Sequence, residues 1–176
     1  ATLIDQDFLN LFEKNEIFVG VSYDGPPNIN DKNRFYHNGR GSGNEVERGL
    51  NLLTDTSIFS GILTVIDVNA SPVETWRYLS KFEPPMIDFL LPHANWDNPP
   101  QSHRENNYEK YADWFISIFN DWFDGYKSHI RIRFFEEILY RLHFKLKTMD
   151  KVKWLISNHM RVHKFDEMKK SKKIQL

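Results

Sequence analysis

Three short apolar runs constrain this chain more than any other feature of its 176 residues. Phe18–Tyr23 reads FVGVSY, Gly61–Val68 reads GILTVIDV and Met86–Leu91 reads MIDFLL. Each is almost continuously apolar, and the second is dense in β-branched residues, as in strands covered on both faces. The segments between them have helical spacing. Asp5–Asn15 sets Phe8, Leu9, Leu11 and Phe12 behind Asp5 as N-cap. Asn44 to Leu53 repeats the pattern through Val46, Leu50 and Leu53. The stretch NASPVETWRYLSKF offers Ser71 as N-cap, Pro72 at the first helical position and Glu74 at N3 of a capping box. Alternating helices and strands imply right-handed crossovers and a parallel α/β sheet.

After the third run the character changes. LPHANWDNPPQSHRENN is a polar loop long enough to be functional or disordered. A helix is expected from about Tyr108 to Gly125, where Tyr111, Phe115, Ile118, Phe119 and Trp122 form a stripe that reads as core. A further helix is expected over about Ile132–Leu142. From Asp150 onward eight Lys/Arg face three Asp/Glu, a net of +5, which leaves −6 for the rest of a chain whose total is −1. MKKSKK reads as a solvated tail.

Composition narrows the chemistry. The chain has no cysteine, so it supplies no disulfide, thiolate metal ligand or Cys nucleophile. The near-zero net charge steers it toward neither nucleic acid nor acidic surfaces. No run reaches the ~18 apolar residues of a membrane span, and no signal-peptide pattern opens the chain, so no membrane partner and a cytoplasmic location are expected. The opening ATLID, without Met, reads as a processed or cut product.

In parallel α/β folds, ligands sit beyond the C-terminal ends of the strands. Three polar clusters fall there. Ser22, Asp24 and Gly25, with Asp31 and Arg34 close behind, follow the first strand. Asp67 and Asn69 follow the second, and Pro92, His93, Asn95, Trp96 and Asp97 the third. Together they make one face suited to a small molecule. The bland alternative is that Asp-Gly-Pro-Pro is only turn chemistry and Asp67 only a cap. Other motifs carry less. His93 and His103 lie ten residues apart in a loop, without ligand geometry; His159 and His163 share a helical face but have no third ligand, so no metal is assigned. GRGSGNE (Gly39–Glu45) lacks the order of a phosphate cradle and reads as a flexible loop. No residue stands out as catalytic.

The strand ends also carry a family resemblance. Thr2-Leu3-Ile4-Asp5, then Val21-Ser22-Tyr23-Asp24-Gly25-Pro26, then Asn30-Asp31-Lys32-Asn33-Arg34, and the Gly-containing loop before a leucine-ended helix resemble the middle of radical S-adenosylmethionine (radical SAM) peptide and sulfatase maturases, including those of SPASM type. Tyr23 stands in place of the usual Leu, and Asn30 in place of the usual His. FLLPHANWDNPP, YADWFISIFNDWF and IRFFEEIL are similar to the cyclophane-forming peptide maturases. The resemblance covers about Ala1 to Leu142. It implies a partial TIM-type (βα) barrel over residues 1–143, with about three central βα units followed by C-terminal helices, and a divergent basic helical tail over 144–176. It further implies S-adenosylmethionine as cofactor. Ser22 would approach its nucleoside, and Asp24, Arg34, Asp67 and Asn69 would shape the rim. A peptide or protein substrate would lie near His93, Asn95, Trp96 and Asp97.

The departure from that family is the missing C-x-x-x-C-x-x-C loop, whose thiolates hold a [4Fe–4S] cluster. The chain is therefore expected to be a fragment or truncated member, inactive alone, with uncovered strand edges and the N-terminal half of the barrel as a partner. The alternatives are a non-catalytic peptide-binding relative and an unrelated α/β ligand-binding domain.

Overall fold

The structure, a computed structural model, describes residues 1–93 and 109–141. Four strands, β1 (Val19–Ser22), β2 (Phe59–Val65), β3 (Met86–Leu90) and β4 (Arg131–Ile132), form one sheet in the order β1-β2-β3-β4, with every pair parallel. The helices are α1 (Gln6–Lys14), α2 (Pro27–Asn30), α3 (Gly43–Leu53), α4 (Pro72–Ser80), α5 (Glu109–Phe123) and α6 (Arg133–Arg141). Consecutive parallel neighbours joined through helices are the repeating unit of a βα barrel.

The local signals act as their chemistry requires. Asp5 caps α1, its Oδ1 accepting the Phe8 N–H at 3.0 Å. Ser71 caps α4, its Oγ accepting the Glu74 N–H at 3.3 Å with Pro72 at the helix start. The fourth strand is a correction to the sequence reading, which ran a helix from Ile132. The Arg131 N–H instead joins the ladder by donating to the Pro85 carbonyl at 3.1 Å, and α6 starts one residue past Ile132. Two residues are too few to show a period of two. β2 likewise starts at Phe59, two residues before the expected Gly61. The register slips between Val19 and Gly20, and Gly61 takes φ +139, where an added Cβ would lie 2.4 Å from the Met86 carbonyl oxygen. Only glycine fits that bulge.

Alternation divides the sheet into two faces. Val21, Tyr23, Ile62, Thr64, Ile87 and Phe89 are buried on the helix-covered face. They meet Leu50, Leu53, Trp76, Leu79, Phe115, Phe119 and Phe135, and the expected α5 stripe is core: Tyr111, Phe115, Ile118 and Phe119 are buried and Trp122 packs against them. The other face carries three rows in register: Gly20, Gly61; then Ser22, Leu63, Asp88; then Val65, Leu90. The boundary expected at 143/144 lies outside the described residues.

Candidate functional site

The site is the polar face and the loops that rise from the strand ends. Ser22, the last residue of β1, is exposed. Tyr23 turns back into the core, fully buried among Tyr78 and Phe82, and burial pushes its phenol far above the ordinary value, with the Tyr78 hydroxyl adding to the shift. Asp24 turns forward again but is 7% exposed. Its Oδ2 accepts from Arg34 Nε at 2.7 Å, and its Oδ1 accepts from Arg34 Nη2 at 3.1 Å and from the Val65 N–H at 2.9 Å. The carboxylate therefore extends the β1–β2 ladder past the end of β1 and holds Arg34 bidentately. This is what the strand needs beyond its end: an acid to satisfy Val65 and a base to neutralise that acid.

The prolines and glycines brace the same loop. Pro26 and Pro27 start α2, and the Asn30 Oδ1 accepts the Asp24 N–H at 3.3 Å. Asp31 Oδ1 accepts from Asn30 Nδ2 at 3.0 Å and from the Gly43 N–H, at the start of α3, at 2.8 Å. A Cβ on Gly41 would lie 1.9 Å from Asp31 Oδ2. In GRGSGNE, expected as a flexible loop, Gly41 and Gly43 make room for Asp31, while Gly39 is open to solvent. Nothing in the motif itself names Asp31 as the partner of Gly41 and Gly43.

Asp67 lies just past β2. Lys32 Nζ donates to its Oδ2 at 2.8 Å, and the Asn69 N–H donates to its Oδ1 at 2.9 Å. Burial alone would raise this carboxyl, but the Lys32 and Asn69 hydrogen bonds outweigh it and hold it below the ordinary carboxylate range. Asp67 is therefore both the cap of the bland reading and a charged member of the rim, and Asn69 is exposed beside it. His93 is exposed past β3. Asn95, Trp96 and Asp97 lie outside the described residues, as do His103, His159 and His163. The sequence reading missed Asp88. Paired with Leu63 in the β2–β3 register, it shares the row of Ser22 and is held by Arg133 Nη2 at 2.5 Å. A lone Asp inside the apolar MIDFLL run was the available signal. Each of the first three strands thus sends a carboxylate to this face, and each carboxylate has its own cation: Arg34, Lys32 and Arg133. The result is a mixed face: three charge-balanced carboxylates and the exposed Ser22 around Leu63, Val65 and Leu90.

No protein-family model matches the chain. The cysteine-type anaerobic sulfatase-maturating enzyme of Clostridium novyi (strain NT) is 27% identical over 144 residues, covering 79% of this chain and 38% of that protein. Its counterpart from Clostridium perfringens (strain 13 / Type A) is 25% identical over 148 residues, covering 79% and 39%. The solved structure of native anSMEcpe with bound AdoMet superposes with a TM-score of 0.69 at 22% identity, covering 81% of this chain and 41% of that one. The same protein with AdoMet and the Cp18Cys peptide gives 0.64. These superpositions show the fold: a parallel α/β sheet that matches about two-fifths of the longer chain. The chain spans about two-fifths of the length of the curated relatives it matches.

Proposed function

We propose that this chain, a homologue of the anaerobic sulfatase-maturating enzymes, forms the S-adenosylmethionine-facing wall of a radical peptide- or protein-modifying maturase. The observation that carries the reading is the open Ser22 hydroxyl, set two residues before the Asp24–Arg34 clamp on the polar strand-end face. Homology to maturases rules out the unrelated α/β domain considered from the sequence.

The residues present fit one cofactor and not the other. For S-adenosylmethionine, Ser22 Oγ offers a hydrogen-bonding hydroxyl to a ribose. Arg34 keeps Nη1 for the methionyl carboxylate, because Nε and Nη2 serve Asp24. Asn69 adds an exposed amide, and the Lys32–Asp67 pair keeps that side of the rim fixed and neutral. For the [4Fe–4S] cluster this chain has no thiolate, so its ligands lie outside these residues. S-adenosylmethionine, if bound there, would supply hydrogen-abstraction chemistry with an electron from a cluster held outside these residues; this chain's part would be to hold, orient and shield it. His93, with residues 95–97, would face that peptide. Thiolate-held clusters persist under reducing conditions, so a cytoplasmic setting, with any SPASM-type clusters borne elsewhere in the polypeptide, belongs to the same reading.

The cysteine-free sequence favours one second reading, a relative that captures peptide without radical chemistry. Calorimetric titration of the chain with S-adenosylmethionine separates the two. The cofactor reading expects saturable binding that Ser22→Ala weakens about fivefold or more, in line with roughly 1 kcal/mol for one hydrogen bond. No binding by the wild-type chain leaves peptide capture.

A further inference from the structure

The three cations on the strand-end face are engaged to different degrees. Asp24 takes both Nε and Nη2 of Arg34, whose side chain is 34% exposed. Lys32 donates its ammonium to Asp67 and has no planar fork to offer. Arg133 meets Asp88 through Nη2 alone; its side chain is 63% exposed, that of Asp88 10%. Asp88 is its one ion-pair partner among the described residues. A guanidinium has two planar forks, Nε with one hydrogen of Nη2 and Nη1 with the other. Whichever Nη2 hydrogen Asp88 accepts, one complete fork stays free. The acid beneath it also holds the guanidinium in place, so little side-chain freedom is left to lose on binding. The position of Arg133 follows from the strand register. Ile132 pairs with Ile87 and is buried in the helix-covered core, so the next residue turns to the opposite face, where Asp88 lies. Asp88 and Ser22 share one row with Leu63 between them, two strand spacings or about 10 Å apart. Leu63, 40% exposed, and the half-buried Val65 and Leu90 make an apolar floor beside that row.

We propose that Arg133 reads a carboxylate of the peptide or protein substrate, either an acidic side chain or a chain terminus. The inference rests on the function proposed above and names the substrate class of the same site. Ser22 lies on β1 and Arg133 just past β4, so the cofactor and the substrate carboxylate are held at opposite sides of the face. An uncharged stretch of the substrate covers the apolar floor between them. A carboxylate arriving at the Nε and Nη2 fork of Arg34 would have to displace Asp24; at Arg133 it displaces nothing and can bind through two parallel hydrogen bonds. A cationic substrate group is disfavoured there, because the exposed Arg133 stands over the buried Asp88. Asp88 therefore has two opposed effects. It fixes the guanidinium, and its negative charge weakens the hold on a second acid.

The test uses the whole chain, isotope-labelled for NMR, and pools of hexapeptides made from uncharged residues. One pool carries a fixed internal Glu with both ends blocked, one carries Gln there, and one carries Gln but ends in a free carboxylate. The Arg133 Nε–H and Leu63 methyl signals are followed in each titration. The expected result is a saturable shift of both signals with an acid pool, at least tenfold weaker with the blocked Gln pool; the acid pool that binds identifies the source of the carboxylate. Arg133→Gln should abolish the preference. Asp88→Asn should tighten acid binding several-fold, a gain that a purely structural ion pair would not give. Circular dichroism and melting check the folding of each variant, and the double variant Arg133→Gln with Asp88→Asn, which leaves no buried charge unpaired, replaces Arg133→Gln if that chain unfolds. The inference is overturned by equal binding of acid and amide pools, by an acid preference that survives Arg133→Gln, by no gain in Asp88→Asn, or by Arg133→Gln weakening S-adenosylmethionine instead. Acid selectivity without S-adenosylmethionine binding would sink the functional reading alone; cofactor binding without acid selectivity would sink this one alone.

Discussion

The two sides of the sheet finish differently. On the β3–β4 side, Ile87, Phe115, Ile118, Ile132 and Phe135 are completely buried, and Phe115 touches the rings of Phe89, Trp114, Phe134 and Phe135. On the β1 side, helix α1 buries one leucine and leaves Phe8 and Leu11 exposed, and no other described strand pairs with the outer edge of β1. Both sides carry comparable apolar residues, so the sequences do not differ in hydrophobic supply. They differ in how far the described residues cover them. The β3–β4 side is a completed core, whereas on the β1 side Phe8, Leu11 and Phe18 stay exposed among the described residues.

That contrast can be broken most forcefully at Phe115. Replacement by Ala removes a ring with no exposed surface and is expected to cost about 3–5 kcal/mol, read as a lower denaturation midpoint. A loss near zero would mean that the aromatic side is not the core. Asp24→Ala comes next. It strips the Val65 N–H and Arg34 of their acceptor, at an expected cost of roughly 1–3 kcal/mol in urea unfolding. Smaller still is the acid response of the Lys32–Asp67 pair. Asp67 titrates below its unfolded value, so its contribution is present at neutral pH and disappears as pH falls through the folded value. Stability should therefore hold from about pH 8 to pH 5 and decline below about pH 4, and Lys32→Gln should flatten part of that decline. Asp67 and Lys32 are partly exposed, which keeps the effect modest. The smallest expected change is at the β1 side itself: Phe8→Ser should move the midpoint by no more than about 0.5 kcal/mol while raising solubility. A loss as large as that of Phe115→Ala would erase the distinction between the sides.

Much of this was legible in the sequence because it is local. The caps at Asp5 and Ser71 act within three residues, and the three long strands declare themselves by unbroken apolar runs. The grouping of Ser22, Asp24, Asp67, Asn69 and His93 on one end of the sheet followed from the parallel order alone. What escaped was non-local. β4 is defined by a hydrogen bond to Pro85, 46 positions earlier, and its two residues carry no pattern. The loop at Gly39–Glu45 is fixed by Asp31, which sequence inspection cannot see touching Gly41. Arg34 was expected to shape the rim of the cofactor site; its guanidinium is engaged by Asp24, whose second task, satisfying Val65, depends on where β2 lies. Asp88, which the sequence reading missed, is paired with Arg133 on the sheet face that carries Ser22.

Residue-resolved amide hydrogen exchange on the isolated chain tests the central claim most directly. The account expects the Ile62 and Ile87 amides, deep in the sheet, to exchange at rates set by global unfolding. It expects Gly20 and Ser22 to exchange orders of magnitude faster than Val21 and Tyr23, their neighbours in the same strand, because only their N–H groups face the open edge. Equal and strong protection along the whole of β1 would contradict it, since the edge would then already be covered and the two sides of the molecule would be equally complete.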